Sequence, residues 1–272
     1  MNGKHTDSLV PILMYHKLDA SLRTQVGWQQ RLRNPSVLSI KDFDSQMSYL
    51  QSQGYRSISL NDFIAYMRGK DTLPGKSIII TFDDGDASHY SMAYPILLKY
   101  GLKGTFFVIT DAIDSPGSLS LTQMKEMLRN GMAIESHSVT HRLLPSLPKQ
   151  ELMRELRESR KILEEKLGKA VDFFAVPGGI YNSEVITMAR KVGYLGMVTS
   201  KLGMNDITSD EYCLMRIEVR LGTSLRDFVN LIEGRRLWLK QLRQSMVNAV
   251  KKTLRVNNYE RIKKGLLRLS ER

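Results

Sequence analysis

Seven short apolar runs, at 10–15, 77–82, 104–110, 132–135, 172–176, 196–199 and 213–219, dominate the sequence. Each is closed by Gly, Pro or a polar turn, and each reads as a strand buried on both faces. Helical patterns separate them. Phe43, Met47, Leu50 and Gln51 mark one helical face, ended by Gly54. Others run over 62–67, over 91–100 around Pro95, from Thr122 to Gly131, over 148–167 with Gly168 as cap, and over 182–192 before Gly193. Strands alternating with helices imply parallel βαβ units. About seven strands in about 230 residues favours a closed barrel over an open sheet, and either form places its chemistry where strands end.

Cysteine and charge narrow the chain further. One cysteine, Cys213, excludes an internal disulfide and a Cys-rich zinc site, and its strand-like setting reads as a small core residue. Residues 1–8 are polar and the apolar run after them is short and holds Pro11, so a secretory signal is not expected. No stretch approaches the ~20 apolar residues of a membrane span. The expected location is the cytoplasm, peripheral at the inner membrane. The formal charge of +12 is uneven: 12 of the 40 Lys/Arg but 2 of the 28 Asp/Glu fall in 235–272. Two units follow, a nearly neutral body over 1–234 and a basic helical tail over 235–272. In the tail Leu239, Leu242, Met246, Ala249 and Val250 share one helical face, and Ile262, Leu266, Leu267 and Leu269 mark a second short helix. The tail can pack on the body as a solvated helix or lie on an anionic membrane surface with Trp238 as anchor, and the membrane reading is favoured. No reader motif supports nucleic-acid binding.

Two motifs carry chemistry. In SIIITFDDG (77–85) an apolar strand runs into two carboxylates. Adjacent buried carboxylates repel, and a metal separates their roles: one ligates, the other stays free as a base. A helix N-cap beside a solvated acid is the plainer alternative. In IESHSVTH (134–141) two histidines lie four apart. On a helix they share a face and meet one metal, although two surface histidines also occur at that spacing. One Asp with two His makes a three-ligand site that leaves positions for water and substrate. One divalent metal is expected, zinc first, with iron, cobalt or nickel compatible.

TFDDG (81–85), HSVTH (137–141) and FFAVPGGIYN (173–182), with GTFFVIT (104–110) between the first two, resemble the successive motifs of the polysaccharide deacetylase family, carbohydrate esterase family 4 with its NodB-homology domain. The resemblance spans about residues 9–233. It implies a distorted (β/α)7 barrel and hydrolytic removal of N-acetyl groups from an amino-sugar glycan or lipid-linked saccharide. It implies Asp83 as base and Asp84, His137 and His141 as metal ligands. Pro177, Gly178, Gly179 and Tyr181 fall on the substrate side, with the Gly178 N–H stabilising the oxyanion. Two departures stand out. The third motif has Asp172 and Ala175 where many members carry arginine, so the base needs a basic group from elsewhere. Arg216 is the candidate, an ordinary salt bridge being its other reading. No His follows His141, so the usual late acid is missing; instead PILMYHK (11–17) resembles the poly-β-1,6-N-acetylglucosamine deacetylase branch, whose acid comes from the first strand. His16 is then the acid, a buried structural histidine being the alternative. His5 and His89 read as dispensable, and Trp28 as a surface for stacking a sugar. The rival class is a catalytically silent carbohydrate-binding or assembly protein, which the missing arginine favours and the intact Asp83, Asp84, His137 and His141 oppose.

Overall fold

The computed structural model describes residues 9–22, 36–235 and 237. In chain order the strands are β1 Ile12–Tyr15, β2 Leu18–Asp19, β3 Leu38–Ser39, β4 Arg56–Ser57, β5 Ser77–Phe82, β6 Thr105–Val108, β7 Ala133–Ser136, β8 Phe173–Ala175, β9 Gly196–Leu202 and β10 Leu214–Glu218. The helices are α1 Ile40–Ser52, α2 Leu60–Met67, α3 Tyr94–Lys99, α4 Leu121–Arg129, α5 Lys149–Leu167, α6 Ser183–Val192 and α7 Leu225–Ile232.

Strands β5 to β10 pair in sequence order, each parallel to the next. Strand β1 closes the ring, pairing in parallel with β5 on one side and β10 on the other. The result is a closed barrel of seven parallel strands with helices outside, the distorted (β/α)7 form expected. The short β4 extends the start of β5, and β2 pairs with β3 apart from the ring.

Two apolar clusters follow the two faces of each strand. Outward residues Leu13, Ile80, Phe106, Ile134, Phe174 and Met197 pack against Phe43, Met127, Leu156 and Phe228 of the helices. Inward residues Ile12, Ile79, Phe107, Phe173, Val198 and Leu214 fill the barrel, joined by Leu60, Phe63 and Ile64 of α2. Helix α2 follows β4 and so closes the end of the barrel where the strands begin. Each large apolar side chain buried this way contributes roughly 1.5–3 kcal/mol. The opposite end is left for chemistry. Because the strands are parallel, His16, Asp83, His137 and Pro177, which follow β1, β5, β7 and β8, all leave the barrel at that end.

Helix ends depart from the sequence reading by a few residues, for a local reason. Serine side chains cap ahead of the point where the apolar pattern begins. Ser59 with Asp62 and Ser120 with Gln123 form reciprocal capping boxes, so α2 opens at Leu60 and α4 at Leu121. On α1 it is Gln46 that is buried, accepting from the Tyr15 hydroxyl at 2.8 Å, while Gln51 is exposed. Cys213 is not a core residue: it is half-buried in the turn before β10 and hydrogen-bonded to Tyr181. The predicted tail from 238 onward, with Trp238, and also Trp28 and His5, lies outside the described residues.

Candidate active site

The two histidines meet by a route other than a helix. Residues 137–141 form a loop after β7, with Ser138 at φ 67° and His141 at φ 58°. Left-handed backbone at non-glycine residues is strained and persists only where surroundings impose it. Here they do. Thr110 and Asp111 N–H donate to the carbonyls of Ser138 and Val139, and His141 N–H donates to Ser138 Oγ at 2.9 Å. Asp84 is also left-handed, at φ 76°, ahead of Gly85 at φ 73°. The helical face expected from the spacing is therefore corrected: a turn brings the rings to 4.8 Å between centroids.

Asp84 Oδ1 lies 3.3 Å from His137 Nε2 and 3.5 Å from His141 Nε2. One ligand atom from each of the three residues falls within 4.8 Å of the others. Donors at ~2.0–2.1 Å from a tetrahedral ion stand about 3.3 Å apart, so the two distances from Asp84 to the histidines suit a shared ion. The tautomer fits too. His137 Nδ1 lies 2.9 Å from the carbonyl of Ala175, to which it can only donate, and this leaves Nε2 its lone pair for the site. Burial, then the hydrogen bond and charge of His137 acting the other way, leave the Asp84 carboxyl below its usual range. Burial and His137 together hold His141 below the usual imidazole value.

Asp83 points into the barrel and is 3% exposed. Arg216, in the middle of β10 and 1% exposed, grips it at two points: Nη1 to Oδ1 at 2.7 Å and Nη2 to Oδ2 at 2.6 Å. The guanidinium is itself fixed by Thr199 O at 2.9 Å from Nε and by Thr81 Oγ1 at 3.1 Å from Nη1. Thr81 in turn donates to Leu13 O at 2.6 Å. Burial alone favours the neutral acid, but Arg216, His137 and His16 outweigh it and hold the Asp83 carboxyl well below the usual carboxylate range. The arginine missing from the third motif is therefore matched by one from β10, which the closed ring sets beside β1.

His16 follows β1, half-buried, within electrostatic reach of both Asp83 and Asp84. Its Nδ1 is buried with no hydrogen-bond partner among the described residues. Its carbonyl accepts from His89 Nε2 at 2.8 Å. His89 is fully buried against Phe82 and Phe106, so the residue read as dispensable holds the backbone of the candidate acid. Beyond β8, Gly178 (φ 64°) and Gly179 (φ 69°) shape the turn after Pro177, and a side chain at Gly179 would overlap Ser200. The Tyr181 hydroxyl turns to Cys213, and burial with that contact pushes it up to about 12. Sequence reasoning also missed Glu155, whose carboxylate binds the histidine loop. A signal exists: Glu155 lies on the buried stripe of α5 with Leu152, Leu156 and Leu163.

Barrel and site together place buried titratable groups and a cluster able to hold a metal ion at the carboxyl ends of parallel strands, the end where barrels of this kind carry their chemistry. A family model described as polysaccharide deacetylase matches residues 70–197. YxkH of Bacillus subtilis, which carries the polysaccharide deacetylase name, is 34% identical over 226 residues, covering 83% of this chain and 76% of YxkH. The chain belongs to the polysaccharide deacetylase family, hydrolases of carbon–nitrogen bonds other than peptide bonds. The poly-β-1,6-N-acetyl-D-glucosamine N-deacetylase of Staphylococcus aureus is 30% identical over 178 residues, 60% of this chain and 61% of that one. Among solved structures, the Streptococcus pyogenes deacetylase PplD in complex with acetate superposes with TM-score 0.75 at 29% identity, over 84% of this chain and 99% of PplD. IcaB from Ammonifex degensii shares the fold with TM-score 0.71 at 24% identity, over 84% and 97%.

Proposed function

We propose that the chain hydrolyses the N-acetyl amide of an amino-sugar unit, in a glycan or a lipid-linked saccharide, releasing acetate and a free amine. One juxtaposition carries the reading: Asp83, locked on Arg216, directly precedes Asp84, which meets His137 and His141. The relatives named for poly-β-1,6-N-acetyl-D-glucosamine, of which the chain spans 61%, support an amino-sugar substrate.

Asp84, His137 and His141 are the residues that would hold one divalent metal, zinc by their donor set, with cobalt, nickel or iron compatible. Bound there, the ion supplies Lewis-acid activation of water and of the amide carbonyl. Asp83 takes the proton of the attacking water, and Arg216 keeps it ionised and fixes its plane. The Gly178 N–H donates to the carbonyl oxygen as it gains charge, in the turn built by Pro177, Gly179 and Tyr181. As the C–N bond breaks, His16 delivers a proton to the departing nitrogen, which leaves poorly as an anion. We further propose that the basic segment 235–272, with 12 Lys/Arg against 2 Asp/Glu, lies on an anionic membrane surface on the cytoplasmic side, where lipid-linked sugars are in reach. The catalytically silent alternative draws its support from the absent arginine, and Arg216 removes that support.

Acetate release from N-acetylated glycans and lipid-linked sugars, with zinc or cobalt added, tests the reading. Asp83→Asn is expected to lower the rate ~10²–10⁴-fold, the usual contribution of a general base. Equal release by variant and wild type removes Asp83 from the role.

A further inference from the structure

The histidine loop is held from behind by one side chain that the chemistry above does not use. Glu155 sits on α5, 6% exposed, among Leu152, Leu156 and Leu163. Its Oε2 accepts the N–H of Val139 and the N–H of Thr140, both at 2.9 Å, and its Oε1 accepts the Thr140 hydroxyl at 2.5 Å. Three donors from two consecutive loop residues therefore converge on one carboxylate, and all of them are neutral. These residues lie between Ser138 and His141, the two left-handed positions that turn the loop. The far side of the loop is held separately, its carbonyls taken by Thr110 and Asp111 N–H.

Buried carboxylates are expensive unless fully bonded. A helix facing a core gains nothing from a glutamate that leucine would not supply better. What the carboxylate does supply is a fixed anchor for a backbone that propensity alone would not adopt, at the segment whose ends are His137 and His141. We propose that Glu155 is a positioning residue for the metal centre: it pre-forms the loop so that both imidazoles reach one ion, and metal affinity depends on it. The proposal rests on the assignment of Asp84, His137 and His141 as ligands.

The test is zinc titration of the metal-free protein against a chromophoric chelator, comparing wild type, Glu155→Gln and Thr140→Val. Glutamine keeps the shape but offers an NH2 group where one of the loop donors must bind. Zinc affinity of Glu155→Gln is expected to fall ~10–100-fold, the usual loss when a ligand's support is removed. Thr140→Val, which deletes one of the three donors and leaves the glutamate in place, is expected to fall less and in the same direction. Amide exchange at Val139 and Thr140 of the metal-free variant should quicken while exchange in β5 and β6 stays at the wild-type rate. Deacetylation lost at low zinc should recover as zinc is raised. Unchanged zinc affinity in Glu155→Gln, or a loss that accompanies faster exchange across the whole barrel, overturns the proposal. A wild-type protein that binds neither zinc nor cobalt, nickel or iron fails differently, since it removes the ligand assignment itself.

Discussion

Arg216→Met isolates the buried pair at the base. The substitution removes two hydrogen bonds to Asp83, at 2.7 and 2.6 Å, and those to Thr81 and Thr199 at 3.1 and 2.9 Å. Methionine keeps apolar bulk beside Phe107, whose ring the guanidinium faces. What remains is a buried carboxylate without its cation. Breaking such a pair from one side costs about 3–5 kcal/mol, a large share of a total stability of ~5–15 kcal/mol. The pH dependence gives the argument its sign. In the wild type Asp83 titrates below the unfolded value of ~3.9, so its contribution is complete above that value and is lost as pH falls through the folded one. In the variant burial acts with the arginine removed and raises the folded value, so the penalty is complete above it and vanishes below ~3.9. The gap between the two proteins is therefore widest near neutral pH and narrows on acidification. Urea unfolding of the metal-free proteins from pH 4 to 8 measures it, and adding Asp83→Asn to Arg216→Met should recover most of the loss. A small loss that is constant with pH and persists in the double variant would refute the reasoning.

Other expectations follow from the same geometry. His16→Gln should lower kcat ~10²–10⁴-fold, with KM and zinc affinity near wild type; an unchanged kcat would assign the acid elsewhere. Gly179→Ala should cost about 2–4 kcal/mol, from its left-handed backbone and its overlap with Ser200, and Ser200→Gly in the same chain should restore only the steric part. Removing 235–272 should abolish sedimentation with anionic liposomes while leaving acetate release from a soluble glycan intact; unchanged sedimentation rejects the membrane role of the tail.

The sequence makes the barrel legible because strands buried on both faces are written as continuous apolar runs, as in Ile78, Ile79 and Ile80. Chemistry at strand ends is legible for the same reason: DDG interrupts an apolar run where no fold tolerates an unpaired charge. The rest depends on information the pattern does not carry. The spacing of His137 and His141 is compatible with a helix, and only the left-handed backbone at Ser138 and His141 makes it a turn. Arg216, the candidate named from the sequence, lies 133 residues from Asp83, and it is ring closure that brings β10 within reach of it. Glu155 sits in a helix laced with charge, and only the stripe it shares with Leu152, Leu156 and Leu163 singles it out from the acids that face water. His89 is invisible to motif reading because its partner is a backbone carbonyl, and backbone partners leave no trace in side-chain patterns.

Ring closure also sets an order in time. Strand β1 is synthesised first and β10 roughly 200 residues later. At ~5–20 residues per second that interval is about 10–40 s, during which one edge of β1 has no partner. Arg216 emerges with the last strand, so Asp83 has no arginine partner until β10 is made. The step that seals the barrel is then the step that pairs the candidate base. A chain without β10 therefore lacks the arginine that holds the candidate base.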